Sequence, residues 1–269
     1  MGQVLTEEER RLEVYTRTTK PTIPASVTAD TPVEDLNLNW RERDLPERER
    51  TKHVHRLHPY LGKFIPQLVE VFLRKYFKEG QTVLDPFCGS GTTLIQANEL
   101  GINSVGIDVS AFNIMLTKVK CAKYDLAIAR KEIFDILNKV RLVRKNQGLQ
   151  MDFYALLDSH NVDGNMDTHS MYLKKWFAPE ALNELLTYSA LIDSGDYIYK
   201  DLLRVILSRA ARSARLTTHF DLDFPKKPQM EPYWCYKHGR MCAPVREAYK
   251  FLNRYSVDTY YRIEHFQRL

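Results

Sequence analysis

Two glycines and two acidic residues in this sequence have the types and spacing of a ligand-binding turn. The stretch 83–94 reads VLDPFCGSGTTL, in which Gly89 and Gly91 follow Asp85 at the end of a short apolar run. Glycine permits positive φ and lets the backbone approach a ligand without a Cβ in the way. A second acid, Asp108, lies 23 positions after Asp85, at the end of the next apolar run. This pattern predicts a turn that holds a phosphate or a small cofactor.

Two common nucleotide-binding patterns do not fit this turn. A Walker loop requires a lysine directly after its last glycine, whereas Thr92 follows Gly91. A dinucleotide site requires a third glycine, where this sequence has Leu94. What remains is one carboxylate placed to accept ribose hydroxyls, Asp108, and one placed to meet a cationic amino group, Asp85. These groups suit S-adenosylmethionine better than a nucleoside triphosphate. The alternative, in which the acids cap helices and the glycines only form a turn, is preferred for a GxG pattern alone.

The flanking sequence predicts the strands and helices that must position the turn. The order is a strand in QTVLD, a helix in TTLIQANEL closed by Gly101, a strand in NSVGID and a helix in AFNIMLTKVKCAKYD. This βαβ unit implies a parallel sheet with a right-handed crossover. Upstream, Pro66 begins a predicted helix with apolar residues at helical spacing, Leu68, Val71, Phe72 and Tyr76. From about residue 126 the patterns are helical, in LAIARKEIFDILNKVRLVRK, PEALNELLTYSALID and DLLRVILSRAARSARL.

Composition bounds the class of protein. The 269 residues carry a formal net charge of +5, which permits a nucleic-acid partner without requiring one. No apolar run reaches the ~18 residues of a membrane span, and the N-terminus lacks the apolar core of a secretory signal. Four cysteines do not suggest a disulfide scaffold, so we expect a reducing, cytoplasmic setting. We predict a charged arm over residues 1–50, a cofactor-binding α/β region over 51–125 and a mainly helical region over 126–269.

Two segments together resemble a known family. DPFCGSGTTL with GIDVS resembles the cofactor motif of the amino-methylating DNA methyltransferases, which make N4-methylcytosine or N6-methyladenine. HPYLGKFIPQLVEVFL resembles the other cofactor motif of this family, which precedes the glycine loop in some of its classes. The blocks KKWFAPEALNELL, RSARLTTHFDLDFPKKP and EPYWCYKHGRMC resemble its middle region, so the resemblance covers residues 50–265 and is most specific over 58–110.

The resemblance implies S-adenosylmethionine as cofactor and assigns residues to it. The methionine and carboxylate end would be flanked by His58, Pro59, Tyr60, Lys63, Phe64 and Pro66. The cofactor loop would comprise Asp85, Pro86, Phe87, Cys88, Gly89, Ser90, Gly91, Thr92 and Thr93, with Cys88 as a small packing residue. Asp108 would bind the ribose, next to Val109 and Ser110.

The catalytic tetrapeptide of this family does not occur in the sequence. Members use Asp, Asn or Ser followed by Pro-Pro-Tyr or Pro-Pro-Phe to position the target amino group and stack on the flipped base. The sequence contains no Pro-Pro pair; DFPK at 223–226 and EPYW at 231–234 lack the second proline. The resemblance therefore implies the N-terminal half of a split enzyme of a restriction–modification type. Its partial Rossmann-like sheet would be completed by a second polypeptide that carries the tetrapeptide.

Basic residues of the C-terminal half are candidates for DNA contact. On one predicted helix four arginines share a face, Arg204, Arg209, Arg212 and Arg215, and a solvated face with ion pairs explains them equally well. Further bases follow at Lys226, Lys227, Lys237 and Arg240, the last two among aromatic residues suited to base stacking. Cys235, His238 and Cys242 could ligate zinc, but their spacing is not that of a standard finger and no fourth ligand is evident. We therefore predict a structural turn with buried thiols and no metal.

Two other functions fit parts of the pattern. An RNA methyltransferase that acts on guanine N2 can have a similar loop, although it too needs a Pro-Pro tetrapeptide. A catalytically silent subunit could use the same fold for DNA specificity or as a scaffold. The sequence of the polypeptide encoded next to this chain would separate the last possibility from a split enzyme.

Overall fold

The computed structural model describes residues 20–59, 62–146, 168–219 and 225–269. The chain divides into two compact units, with the boundary between Ala122 and Lys123. Among the described helices, none is both long and apolar enough to cross a membrane.

The first unit contains the predicted βαβ unit. Short 3-10 turns at Pro24–Ser26, Val33–Asp35 and His53–Arg56 and a one-turn helix α1 (Glu47–Arg50) precede it. The βαβ unit is formed by β1 (Thr82–Asp85), α3 (Thr92–Glu99) and β2 (Asn103–Gly106). The helix α2 (Pro66–Tyr76) precedes it, and the helix α4 (Ala111–Cys121) follows it. Pro66 occupies the first turn of α2, where its missing N–H costs no helical hydrogen bond. The predicted order of elements is confirmed.

The two strands form a parallel pair that ends at the glycine turn. Thr82 lies opposite Asn103 and Asp85 opposite Gly106. The pairing continues past the strands, because the Ile107 N–H donates to the Asp85 carbonyl at 2.9 Å. Behind the strands, α2 and α3 enclose a small apolar core of Leu73, Val83, Ala97 and Ile102. The carboxyl ends of both strands therefore lie side by side, which is where parallel sheets bind ligands.

The second unit is a helical bundle with a small hairpin. Its elements are α5 (Leu126–Asn146), α6 (Met171–Trp176), α7 (Pro179–Ser194), α8 (Lys200–Ala214), β3 (Tyr233–Cys235), β4 (Arg240–Cys242) and α9 (Tyr249–Gln267). The predicted helices α5, α7 and α8 are confirmed. The antiparallel pairing of β3 with β4, with Trp234 opposite Met241, was not predicted. The core consists of fully buried side chains, including Tyr188, Leu203, Ile206 and Leu252.

Carboxylates from neighbouring helices cap two helices of this bundle. The N-cap residues of α8 and α9, Tyr199 and Ala248, offer no capping side chain. Glu132 accepts the N–H of Tyr199 at 2.9 Å, and Glu184 accepts the N–H of Ala248 at 2.6 Å. A negative charge at a helix N-terminus satisfies free N–H groups and interacts favourably with the helix dipole. These contacts therefore fix both helix starts through tertiary structure.

The structure corrects the predicted role of Arg209 in DNA contact. Its side chain is only 6% exposed, because Arg209 faces α9 and not solvent. The guanidinium donates to Thr259 Oγ1 at 2.7 Å and to Asp258 Oδ2 at 2.5 Å, and it lies 4.3 Å from the Tyr255 ring centroid. Placement on the arginine face of the helical wheel did not reveal this, since the bundle buries part of that face. Arg209 is a structural residue of the helix pair.

We expect Arg209→Ala to destabilise the bundle far more than Arg204→Ala. Loss of Arg209 removes buried hydrogen bonds to Thr259 and Asp258 and costs about 1.5–3 kcal/mol of unfolding free energy, although Asp258 keeps its pairing with Arg262. Arg204 on the same helix is exposed and pairs with Asp193 and Asp201, so its loss costs about 0–1 kcal/mol. Urea unfolding followed by circular dichroism measures both. Equal losses in the two variants would contradict the buried-pair assignment.

Candidate functional site

The glycine turn after β1 needs glycine for two separate reasons. Gly89 and Gly91 have positive φ, 51° and 81°, a region that other residues seldom adopt. A Cβ added to Gly91 would lie 2.8 Å from Thr117 Cγ2 and from Thr117 Oγ1. The turn closes through a hydrogen bond from the Gly91 N–H to the Cys88 carbonyl at 2.7 Å. The backbone thus passes close to α4 and enters α3 directly, which leaves the first N–H groups of α3 unpaired within that helix.

Asp108 connects the end of β2 to this turn. Its carboxylate accepts the Gly89 N–H at 2.9 Å, the Ser110 N–H at 2.8 Å and the Asn113 side-chain amide at 3.1 Å. These donors, Ser110 foremost, lower the pKa of Asp108 below its ordinary value. The group is therefore an ionised acceptor whose position is set by three hydrogen bonds.

Two side chains of α4 hold the carbonyls of the turn. Thr117 Oγ1 donates to the Gly89 carbonyl at 3.2 Å, and Lys120 Nζ donates to the Ser90 carbonyl at 2.8 Å. Lys120 is 1% exposed, and burial followed by repulsion from Lys63 lowers its pKa to about 7. Sequence reasoning missed this lysine. The available signal was its spacing, since Asn113, Leu116 and Lys120 recur at the period of a buried helix face.

The segment before α2 packs against the βαβ unit through buried polar groups. His55 Nε2 lies 2.9 Å from Gln96 Oε1 on α3, and burial lowers the pKa of His55 well below its ordinary value. The His58 ring contacts the Phe112 ring edge to face, with centroids 5.1 Å apart. Lys63 Nζ donates to the His55 carbonyl at 2.7 Å, and burial lowers the pKa of Lys63. The structure thus brings the two predicted cofactor motifs together, while Tyr60 lies outside the described residues.

The predicted site residues differ in what they present to solvent. Phe87 is 88% exposed, Val109 is fully exposed, and Phe64 is also exposed, so apolar surface flanks the turn. Cys88 is buried, as expected for a packing residue, and burial raises the pKa of its thiol. Ser90, Thr92 and Pro66 are buried too, whereas Thr93 is half-buried and Pro86 is exposed. The Asp85 carboxylate accepts the Phe87 N–H at 3.1 Å.

This arrangement can bind a ligand that combines hydroxyls, a cation and an apolar ring. Asp108 supplies an ionised acceptor for hydroxyls, and Asp85 supplies a second carboxylate. Positive φ at Gly89 and Gly91 shapes the turn beside these carboxylates, and Val109 and Phe87 offer apolar contact. No lysine follows Gly91 to neutralise a triphosphate. The residues therefore fit S-adenosylmethionine, and the βαβ unit with its glycine turn has the α/β content of a methyltransferase fold.

Comparison with known proteins found a matching family model and several relatives. Residues 6–118 match the model of the DNA methylase family. The type II methyltransferase M.MjaII of Methanocaldococcus jannaschii is 38% identical over 275 aligned positions, covering 84% of this chain and 52% of that protein. These two matches support an amino-methylating DNA methyltransferase family for this chain. The chain spans about half the length of M.MjaII.

Other relatives match shorter stretches. The type II methyltransferase M.BsoBI of Geobacillus stearothermophilus is 32% identical over 39% of this chain and 22% of its own length. A tRNA (guanine(10)-N2)-dimethyltransferase of Methanocaldococcus jannaschii is 32% identical over 33% of this chain and 25% of its own length. No solved structure matches the chain.

Most residues predicted to contact DNA are accessible. Exposed side chains of this set are those of Arg204, Lys226, Lys227, Lys237 and Arg240. Arg212 and Arg215 are half-buried. Lys237 and Arg240 belong to the hairpin formed by β3 and β4, next to the exposed aromatic side chains of Trp234 and Tyr236. With Arg209 excluded, the hairpin and the segment before it hold four of the five exposed bases.

We expect Gly91→Ala to impair both folding of the first unit and cofactor binding, whereas Gly80→Ala impairs folding only slightly. Gly91 and Gly80 have nearly the same φ, +81° and +82°. Backbone strain therefore lowers the unfolding free energy by about 1–2 kcal/mol in each alanine variant. Only Gly91 faces a neighbour, Thr117, so its alanine costs about 1–3 kcal/mol more. Unfolding free energies and calorimetric titration with S-adenosylmethionine test this. Equal behaviour of the two variants would contradict the packing argument.

We expect buried Lys120 to make stability depend on pH. Its pKa is about 7 in the folded chain and about 10.5 in the unfolded one, so between these values the unfolded state binds more protons. Raising pH through this window therefore stabilises the folded state. From pH 7 to pH 9 the unfolding free energy of the wild type should rise by about 2 kcal/mol relative to Lys120→Met. A difference that stays constant with pH would refute the burial of a titrating amine.

Proposed function

We propose that this chain is the S-adenosylmethionine-binding subunit of a DNA amino-methyltransferase of a restriction–modification system. The observation that carries the proposal is the Asp108 carboxylate, ionised and fixed by three hydrogen bonds beside a glycine turn. The match to type II methyltransferases supports DNA as the substrate. When bound, S-adenosylmethionine supplies a methyl group on a sulfonium that an exocyclic amine of cytosine or adenine accepts.

The protein groups of this chain bind and orient. Asp108 would accept the ribose hydroxyls, and Asp85 would meet the ammonium group. Thr117 and Lys120 of α4 hold the turn in its conformation through hydrogen bonds to its carbonyl groups. Lys237 and Arg240 would contact DNA phosphates, with Trp234 and Tyr236 available for stacking. None of these groups positions the acceptor amine, which in this family is the task of the Pro-Pro tetrapeptide.

We propose that a second polypeptide supplies the tetrapeptide and completes the sheet. Among the described residues β1 pairs only with β2, so its other edge offers free N–H and C=O groups for a further strand. The strand side chains Leu84, Val105 and the following Ile107 are 59%, 50% and 55% exposed. On the face of β1 that carries Val83, an open groove of about 300 Å³ is lined by apolar side chains of α2, including Leu68, Phe72 and Tyr76. Apolar surface of this extent on a sheet supports burial against further elements.

The decisive experiment combines this chain with the adjacent-gene polypeptide that carries Ser- or Asp-Pro-Pro-Tyr. We expect the chain alone to bind S-adenosylmethionine without methylating DNA, and the pair to transfer tritiated methyl groups to DNA. Asp108→Asn should weaken cofactor binding at least about tenfold, because a charge-assisted hydrogen bond contributes about 1.5–3 kcal/mol. The control is Asp30→Asn, an exposed acid of the N-terminal region.

Three outcomes would redirect the proposal. If Asp108→Asn leaves the affinity of the pair for S-adenosylmethionine unchanged, the cofactor assignment is wrong. If activity requires the tetrapeptide within the same polypeptide, the cofactor site stands and the split arrangement fails. If the pair binds cofactor and DNA without methyl transfer, the chain serves a catalytically silent complex.

An RNA substrate is the second candidate, because a tRNA (guanine(10)-N2)-dimethyltransferase matches a third of the chain. The M.MjaII match extends over 84% of the chain and therefore favours DNA. Parallel assays with duplex DNA and with unmodified tRNA transcripts compare the two. Methyl transfer to tRNA alone would reverse the assignment.

A further inference from the structure

Four side chains with metal-ligating atoms converge at the hairpin of the second unit. They are His219, Cys235, His238 and Cys242, and their ligand atoms all lie within 4.8 Å of one another. Sequence spacing revealed only the last three. The fourth, His219, lies in the segment after α8. It precedes Cys235 by 16 positions, and no standard motif links the two residues.

Three of the six distances between ligand atoms in this group are close to those of a tetrahedral zinc site. Cys235 Sγ lies 3.5 Å from His219 Nδ1 and 3.6 Å from His238 Nδ1, and Cys242 Sγ lies 3.4 Å from His238 Nδ1. Zn–S and Zn–N bonds of about 2.3 and 2.0–2.1 Å at the tetrahedral angle separate S and N by about 3.5–3.6 Å. The three measured sulfur–nitrogen distances therefore match the edges of such a tetrahedron.

Hydrogen bonding within the protein accounts for only part of this convergence. The Tyr233 hydroxyl accepts a hydrogen bond from the backbone N–H of His219 at 2.9 Å and lies 3.0 Å from the ring atom His219 Nδ1. These contacts explain the position of one histidine. It does not explain why two buried thiols and His238 meet at the same point. A thiol is a weak hydrogen-bond donor and a weak acceptor, so this contact contributes little without a metal.

We propose that His219, Cys235, His238 and Cys242 bind one structural zinc ion. Two thiolates and two imidazoles in tetrahedral positions select zinc among the common divalent metals. Four protein ligands leave no open position for water or substrate, which indicates a structural role and not a catalytic one. The two thiolates balance the charge of the ion, so the site is neutral overall.

The zinc ion ties the chain after α8 to the hairpin. Cys235 ends β3 and Cys242 ends β4, while His238 lies in the turn between them, before Gly239 with its φ of +59°. A hairpin of three-residue strands has little stability of its own. The ion would hold it rigid, with exposed Lys237 and Arg240 presented to solvent.

The test begins with metal analysis of the full chain, purified without a histidine tag. We expect about one zinc per chain, and loss of stoichiometric zinc in Cys242→Ser and in His219→Ala. Cys121→Ser is the matched control and should retain the metal, since Cys121 lies in the other unit. Less than a tenth of an equivalent in the wild type, or full retention in Cys242→Ser, would overturn the proposal.

Two measurements on the wild type keep the test valid if a variant fails to fold. Replacement of zinc by cobalt should give the intense visible absorption of a tetrahedral ion and a thiolate-to-cobalt charge-transfer band. N-ethylmaleimide should modify Cys235 and Cys242 only after a chelator removes the metal, as mapped by mass spectrometry. A weak octahedral cobalt spectrum, or a Cys235–Cys242 disulfide in freshly purified protein, would overturn the site. Cofactor binding through Asp108 is independent of either result.

Discussion

The hydrogen bond from the Gly89 N–H to the Asp108 carboxylate is the contact on which the proposed cofactor site depends. It joins the turn after β1 to the residue that follows β2, so the parallel register of the strands decides the place of both. Gly89 adopts positive φ at this bond, and a lowered pKa keeps Asp108 ionised as the acceptor. Because the donor is a backbone N–H, every residue except proline would keep it, so a substitution at position 89 acts through the positive φ.

Buried ionisable side chains hold both units in position. In the first unit Lys120 donates a hydrogen bond to the Ser90 carbonyl, and burial lowers the pKa of its amine. In the second unit Glu132 and Glu184 cap helices that lack capping residues of their own. A buried charge is stable only when its hydrogen bonds are made, so each of these contacts specifies one arrangement of the elements around it. The protein is therefore sensitive to substitution at these positions.

Local patterns predicted the βαβ unit and the helices α2, α5, α7 and α8, but not the helices α6 and α9. Helical periodicity located α2, α5, α7 and α8, and the alternation of apolar runs with glycine and acid located the βαβ unit. The glycine turn and Asp108 were also evident, since their chemistry depends on residue type and short spacing. The hairpin of β3 and β4 was not predicted, because strands of three residues are too short to show a period of two.

The sequence by itself determined which residues form the glycine turn, that Asp108 follows the second strand, and that no Pro-Pro tetrapeptide is present. Only the tertiary structure decided the burial of Lys120 and Arg209 and the position of His219 beside the hairpin. A lysine or arginine on a helix is usually solvated, and burial depends on which neighbour covers that face. His219 gains its place because the chain after α8 returns to the hairpin. Contacts between residues distant in sequence leave no local pattern, so these positions required the fold.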